Sequence, residues 1–463
     1  MIKLFRVFIP KSVLALVLLD IVLVYACFIT ASYWFFGESA DLFLFYDDGL
    51  VKISLAVASV ILAVYFQNMY TDFRIRSRAL LIQQMFLVVG VLFLSQALLA
   101  YMSRELILSR WLMIVACVLL LVLFAPWRML YTQVLYKGLG IDRVLFLGND
   151  VTGVAIAECL AARPELGFVT IGFVADAGAS ESGTASLPLL GPVANLAEIV
   201  RSTHPNRIIV NLTERRQALP VDVLLDLRFS GIHIEEASFM YEAAFGRIDT
   251  KRLRPSQLIF TEQLGPRKWL MQVQSLYSFI IAAIAVIIAA PIMLLTGIAV
   301  RLTSAGPVLF RQTRVGLNGK TFTLYKFRSM VVNAEAATGA VWAKRNDPRV
   351  TRIGGFLRKT RIDELPQLFN VLAGHMSIVG PRPERPEFVS VLSEQIPFYR
   401  QRHAVKPGVT GWAQINYKYG ENIEDTIVKL EYDLYYIKNL SPSLDAFIIF
   451  HTAKVMLFSS HGQ

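Results

Sequence analysis

The sequence predicts a membrane protein in three parts: a membrane α-helical bundle, an α/β domain, and a basic α+β domain introduced by a fifth apolar helix that enters the bilayer and returns. Three observations carry this. The 463 residues are 55% hydrophobic and 17% charged, with mean hydropathy +0.50, whereas soluble chains run near about 45–50% apolar and about 25% charged. Apolar runs of spanning length recur through the first third, and short strand-like segments alternate with helical ones in the middle. A net charge of +11 is matched by a dense set of cations after residue 301.

The bundle occupies 1–136. Its apolar runs are Ser12–Phe36, Ile53–Phe66, Leu80–Met102 and Trp111–Trp127, the second being short against the roughly 20 residues a bilayer requires. Lys3, Arg6 and Lys11 precede the first run, Arg74, Arg76 and Arg78 lie between the second and third, and Arg128, Lys137 and Arg143 follow the fourth. The loop after the first run is acidic (Glu38, Asp41, Asp47, Asp48). The positive-inside rule therefore puts both ends of the bundle in the cytoplasm. The first run extends too far, and lacks an Ala-x-Ala exit, for a cleaved signal peptide, and an uncleaved anchor is expected. Asp20 lies inside it. A lone charge there costs about 2.5–3.5 kcal/mol, so Asp20 marks a lipid or proton path or, the favoured reading, is protonated or bonded to a polar residue of a neighbouring helix, such as Gln83, Gln84 or Gln96.

The middle domain, 137–250, opens with "DRVLFLGNDVTGVAIAECLAARPELGFVTIGFVAD". Arg143–Leu147 and Val169–Val174 read as strands around a helix at Val154–Ala162, with further strands at Arg207–Asn211 and Gly231–Glu235. This α/β pattern resembles a Rossmann-like module. The turn Gly148-Asn149-Asp150-Val151-Thr152-Gly153 lacks the second glycine of the dinucleotide fingerprint, which argues against nucleotide binding. Asp176–Pro188 reads as a polar loop. A basic linker is expected at 251–275.

The fifth run, Leu276–Val300, has cations on both sides (Arg267, Lys268, then Arg301, Arg311, Arg314) and Pro291 inside. Charge gives the chain no reason to cross, and Pro breaks a backbone hydrogen bond. A re-entrant helix over 276–300, bent at Pro291, satisfies both facts; the alternative is a kinked spanning helix, which would put the basic C-terminal domain outside the cell.

From 301 to 463 the chain is basic. Asn318-Gly319 is a hairpin signal that brings Lys320, Lys326 and Arg328 beside Arg311 and Arg314. Rigid turns follow at "GPRP" (Gly380–Pro383) and "KPGVTGW" (Lys406–Trp412). Guanidinium groups at this density suit bidentate recognition of phosphate. Among them, "RKTRIDELPQLFNVL" (Arg358–Leu372) places Asp363 and Glu364 beneath cations and before an apolar run. Read structurally, this is a helix start, with an acid as cap and Pro366 in the first turn. Read chemically, the cations keep both carboxylates ionised. Such carboxylates can hold Mg²⁺ together with substrate phosphates, or attack phosphorus. No HExxH or comparable His pair competes for a metal. The three cysteines, Cys27, Cys117 and Cys159, are widely spaced and form no CxxC, so neither a disulfide framework nor a zinc site is indicated, and no nucleic-acid motif occurs.

The runs "GPVLFRQTRVG", "YKFRSM", "NDPRVTRIGGFLRKTRIDELPQLFNVLAGHMSIVGPRP", "KPGVTGWAQIN" and "YDLYYIKN" make the region from about Tyr277 onward resemble the polyprenyl-phosphate sugar-1-phosphate transferases, the monotopic phosphoglycosyl transferases, and the front end resembles their long bacterial members. The resemblance implies a protein of the bacterial inner membrane with its catalytic domain facing the cytoplasm. It implies transfer of a hexose-1-phosphate, glucose first and galactose next, from a UDP-hexose to undecaprenyl phosphate with release of UMP, initiating exopolysaccharide assembly. The family's Asp-Glu dyad falls on Asp363 and Glu364, with Asp363 the nucleophile and Glu364 positioning Mg²⁺ or accepting a proton. Lys326 and Arg358 match positions near the substrate phosphates, Arg382 lies in the turn near the nucleotide, and Asp433 matches an acidic position. The middle domain offers a surface for a homodimer.

Two departures stand out. Ala290 precedes Pro291 where the family commonly has Ser, and Gln274, Ser275 and Ser278 replace the charged residues usual before the membrane helix. Two rival classes share parts of this organisation. A membrane-bound nucleotide-sugar dehydratase or epimerase would need an intact glycine fingerprint and a Tyr-x-x-x-Lys pair, which the chain lacks. A membrane scaffold with a ligand-sensing α/β module would release no UMP.

Overall fold

Where lipid leaves the backbone no water to bond, an apolar chain satisfies its own amides as helix. The computed structural model describes residues 2–4, 7–67, 69–70, 78–132, 142–163, 166–176, 187–212, 219–253, 267–332, 334, 347–417 and 422–458. Within these, the predicted runs become α1 (Lys11–Phe36), α2 (Gly49–Phe66), α3 (Arg78–Met102) and α4 (Arg110–Leu130). All four are long and apolar enough to cross a membrane. Arg74, Arg76 and Lys137 lie outside the described residues. The helices share a core around Leu16, Phe28, Val60, Leu92 and Phe124.

Asp20 is bonded to polar residues of a neighbouring helix, but not to the expected glutamines. Its carboxylate pairs with Arg128 Nη2 at 2.7 Å and accepts from Trp127 Nε1 at 2.9 Å, both from α4. Gln84 donates instead to the Gln67 carbonyl, and Gln96 accepts from Leu108 N. Arg128 had counted only as a flanking charge. It is buried, holding Asp20 and the Met69 carbonyl, because a carboxylate enclosed by helices is stabilised most by an opposite charge.

The middle domain is a five-stranded sheet, β1 (Asp142–Leu147), β2 (Phe168–Val174), β3 (Leu189–Gly191), β4 (Arg207–Val210) and β5 (His233–Glu236), in the order β3-β2-β1-β4-β5. All pairings are parallel. Such strands are covered on both faces, hence the unbroken apolar run Val144–Leu147. The order reverses beside β1, where α/β folds place ligands. There Gly148 has φ +104°, and the Asp150 carboxylate caps α5 (Val151–Ala162) by accepting from Gly153 N at 3.0 Å and from Asn211 Nδ2.

The chain divides into two units between Met240 and Tyr241. The last ten residues assigned to the middle domain therefore belong to the second unit. Ile248 joins its core, the Gly246 carbonyl accepts from Trp412 Nε1 at 2.7 Å, and Thr250 Oγ1 donates to Glu431 at 3.2 Å. Of the expected linker, 254–266 lie outside the described residues, and from Lys268 the chain is already helix.

That helix, α6 (Lys268–Thr303), has 36 residues with Pro291 inside and is about 54 Å long. Leu270, Gln274, Ser278 and Ala282 are buried near one end and Thr296 and Val300 near the other, with none between. The first end packs on the core containing Val379 and Leu444, the second on Phe327 and Leu357. Both ends thus rest on one globular body while Ile284, Ile287, Ile288, Ile292 and Leu294 stay exposed. The departures at the first end are anchors. Gln274 Nε2 lies within bonding distance of Tyr436 Oη (2.6 Å), Asp445 (2.8 Å) and the Val379 carbonyl (3.2 Å). Ser278 Oγ accepts from Ile378 N, and Lys406 Nζ donates to Ser275 Oγ.

The predicted hairpin forms from β6 (Leu309–Val315) and β7 (Thr321–Phe327), with Asn318 and Gly319 both at positive φ in the turn. Short parallel strands β8 (Ser377–Val379) and β9 (Gly408–Thr410) bring the two rigid turns together. Gly380 N donates to the Thr410 carbonyl and Gly408 N to the Pro381 carbonyl, both at 2.9 Å. A Cβ on either glycine would strike the other strand's backbone.

Candidate active site

α7 (Arg352–Thr360) ends at Arg361, whose φ is +57°, a left-handed position that helix ends usually give to glycine. The reversal sends Ile362–Glu364 into a single 3-10 turn before α8 (Gln367–Leu372). No side chain caps that turn, and α8 starts from Pro366 without a side-chain cap. Read as a helix start, the segment explains neither acid.

The two carboxylates are buried, at 7% and 9% exposure, and differ in what surrounds them. Glu364 Oε1 accepts from Lys326 Nζ at 2.8 Å and Arg382 Nη2 at 3.2 Å, while Oε2 faces Arg361 at 3.7 Å. Burial would raise its pKa, but Lys326, Arg382 and Arg361 together hold it well below the carboxylate range. Asp363 accepts no hydrogen bond and makes no ion pair among the described residues. Burial pushes it up against the pull of Lys326, and the charge on Glu364 adds to the rise, while Arg358 and Arg382 oppose it. Cations therefore keep Glu364 ionised as the sequence implied, but the direction for Asp363 is the reverse, because burial and the charge on Glu364 outweigh the pull of Lys326, Arg358 and Arg382. Burial also lowers Lys326, offset by Glu364.

Asp363 opens onto a cavity of about 1140 Å³, large enough for a nucleotide-sized ligand. Lys326, Arg358 and Arg382 line it beside Asp363. Arg358 has no hydrogen-bond or ion-pair partner among the described residues, and Arg382 is half exposed. Glu364 stands behind the wall. Asp433 does not reach the cavity. It pairs with Arg402 at 2.8 Å, and Arg402 in turn donates to the Arg382 carbonyl at 3.1 Å and Tyr399 Oη at 2.7 Å. Asp433 thus positions the Gly380–Pro383 turn from behind. Pro291 lies in the exposed middle of α6, remote in sequence from these groups. Lys320, at the hairpin turn, is not in the wall. Sequence reasoning missed Lys429, a half-buried cation lining the cavity. Only its helix spacing from Asp433, four residues along Ile423–Asn439, could have hinted at it.

A metal would find few ligands. No group of three His, Cys, Asp or Glu gathers among the described residues, and both Glu364 oxygens face cations. Asp363 is the open carboxylate, which fits a cation bound mainly through substrate phosphates.

An unpaired carboxylate in a cavity lined by cations, in a domain that carries a long apolar helix, is a site whose chemistry suits phosphate groups. The bacterial sugar transferase family matches residues 269–459, and a CoA-binding domain family matches residues 65–236, spanning the parallel sheet. A UDP-glucose:undecaprenyl-phosphate glucose-1-phosphate transferase of Klebsiella pneumoniae is 38% identical over 316 residues, 67% of this chain and 66% of that protein. A UDP-N-acetylgalactosamine-undecaprenyl-phosphate N-acetylgalactosaminephosphotransferase of Aeromonas hydrophila is 44% identical over 225 residues, 49% of this chain and 52% of that one. The exopolysaccharide production protein PSS of Rhizobium leguminosarum bv. phaseoli is 44% identical over 183 residues and matched over 92% of its length. The chain belongs to the bacterial sugar transferase family. Its matches span about half of the Aeromonas protein and just under two thirds of the Klebsiella protein.

Proposed function

We propose that this protein transfers a hexose-1-phosphate from a UDP-hexose to undecaprenyl phosphate, releasing UMP, as the first lipid-linked step of exopolysaccharide assembly. The observation that carries the reading is the split of the dyad: Glu364 saturated by cations, Asp363 free in the cavity with its basicity raised. An Asp363 oxygen attacks the sugar-bearing phosphorus, and the bond from that phosphorus to the bridging oxygen breaks. UMP leaves with the electron pair. The phosphosugar is now an acyl phosphate on Asp363. An oxygen of the acceptor phosphate attacks the same phosphorus, the bond to Asp363 breaks, and the carboxylate is restored. Lys326, Arg358 and Arg382 offset the charge of the phosphates throughout. Mg²⁺, when bound, would be held by Asp363 and the donor's phosphate oxygens and would add Lewis-acid charge stabilisation.

Glucose is the first candidate sugar, since the Klebsiella relative, matched over 67% of this chain, is named for it; galactose and N-acetylgalactosamine follow. The protein is placed in the bacterial inner membrane with the catalytic domain in the cytoplasm, where UDP-sugars are made, and α6 as a re-entrant helix. Support for the last point is that both ends of α6 pack on the same domain while its middle, around Pro291, is bare and apolar.

The test is purified protein in detergent with Mg²⁺, undecaprenyl phosphate and each UDP-hexose. UMP release is expected, and mass spectrometry with donor alone should find a hexose-phosphate adduct on Asp363. Silence with all donors overturns the reading, and turnover through a ternary complex without an adduct overturns the covalent step. External labelling of a Lys320→Cys variant in intact cells would overturn the re-entrant topology.

A further inference from the structure

One corner of the cavity is unlike the rest. Arg328, just past β7, is 5% exposed. Its Nη2 donates to the Ser304 carbonyl at 2.7 Å and to Ser304 Oγ at 2.8 Å, with the Val300 carbonyl at 3.4 Å, so it closes the end of α6. Its Nε and Nη1 are buried without a hydrogen-bond partner, and no carboxylate pairs with it among the described residues. A helix C-terminus offers about half a negative charge, which leaves a buried guanidinium short of a counter-anion.

Around it the wall is apolar. Arg328 N bonds to the Val308 carbonyl across the hairpin at 2.9 Å. Pro307, Val308, Val331 and Val332 line the cavity with Arg328, and Val331 and Val332 are 51% and 53% exposed. Gly306 has φ +117°, and a Cβ there would strike both Arg328 Nη1 and Val332 Cγ2, so guanidinium and valine meet over a residue that must be glycine. The corner begins within a few residues of Thr303, where the membrane helix ends. Arg328 follows Lys326 by two residues, about 7 Å along an extended chain.

A half-exposed valine wall over an unneutralised guanidinium, at the end of a membrane helix, suits a phosphomonoester carried on an apolar chain. Resting on the transfer reading above, we propose that this corner seats the lipid acceptor: its phosphate on Arg328, its first isoprene units against Val331 and Val332. The donor diphosphate belongs to Lys326, Arg358 and Arg382, the cations beside Asp363 in the same cavity.

Binding is measured directly on the full chain in detergent, without donor, using farnesyl phosphate as the probe, so the result does not depend on turnover. Farnesyl phosphate should bind at least tenfold more tightly than farnesol or inorganic phosphate, and phosphatidylglycerol, a phosphodiester, should not displace it. Arg328→Met should weaken it at least tenfold and Arg328→Lys by less. Val332→Asp, at a half-exposed position, should weaken it about tenfold. Inorganic phosphate binding as tightly as farnesyl phosphate, displacement by phosphatidylglycerol, or unchanged binding by both Arg328→Met and Val332→Asp would each overturn the proposal. Failure of UMP release with lipid binding intact would strike only the transfer reading.

Discussion

Asp150 and Asp363 occupy comparable places, each in a tight turn leading towards a short helix, and they end in opposite states. Asp150 is consumed by its own fold. Gly153 N and Asn211 Nδ2 bond to it, so a carboxylate already fills the helix N-terminus where a phosphate would sit. Asp363 caps nothing, because Arg361 reverses the chain and the next helix starts at Pro366. Lys326, Arg361 and Arg382 pair with Glu364 instead, while Arg358 lines the cavity beside Asp363. An acid satisfied by local backbone is architecture; one buried and unpaired beside cations is available for chemistry.

The sharpest test of this contrast is Asp363→Asn, expected to lower UMP release by about a thousandfold or more, since an amide is no nucleophile, while the protein still inserts and unfolds normally. Retained turnover would break the comparison outright. Next, Glu364→Gln strips the largely buried Lys326 and the half-exposed Arg361 and Arg382 of their counter-charge. A loss of stability of about 3 kcal/mol and of activity by roughly a hundredfold is expected, read from thermal unfolding alongside donor kinetics.

The pH profile separates the two acids further. Asp363 must be ionised to attack, and its pKa is raised above 3.8, so adduct formation should fall about tenfold per pH unit below that raised value. Glu364, held low, contributes no limb in that range. Because the charge on Glu364 is one cause of the rise, Glu364→Gln should move the acidic limb to lower pH; an upward shift would contradict the assignment. The smallest effect is expected at Asp150→Ala, about 1 kcal/mol for a lost cap, with UMP release unchanged. A large fall in transfer there would mean that the middle domain's turn does more than cap.

Much of this was legible in the chain. Runs such as Ser12–Phe36 can only be satisfied as membrane helices, Asn318-Gly319 fixes a hairpin turn through two positive-φ residues, and "RIDELP" singles out the acids because acids are rare among so many cations. These are local properties, set within a few residues by backbone sterics and hydrophobic period. Tertiary structure alone decided which acid is open and which charges are spent. The Lys326–Glu364 bond joins residues 38 apart and the Arg128–Asp20 bond residues 108 apart. The transfer of Tyr241–Thr250 to the second unit depended likewise on Trp412 and Glu431. Charge interactions fall off with distance in space rather than along the chain; residue order therefore named the candidates, and packing assigned their partners.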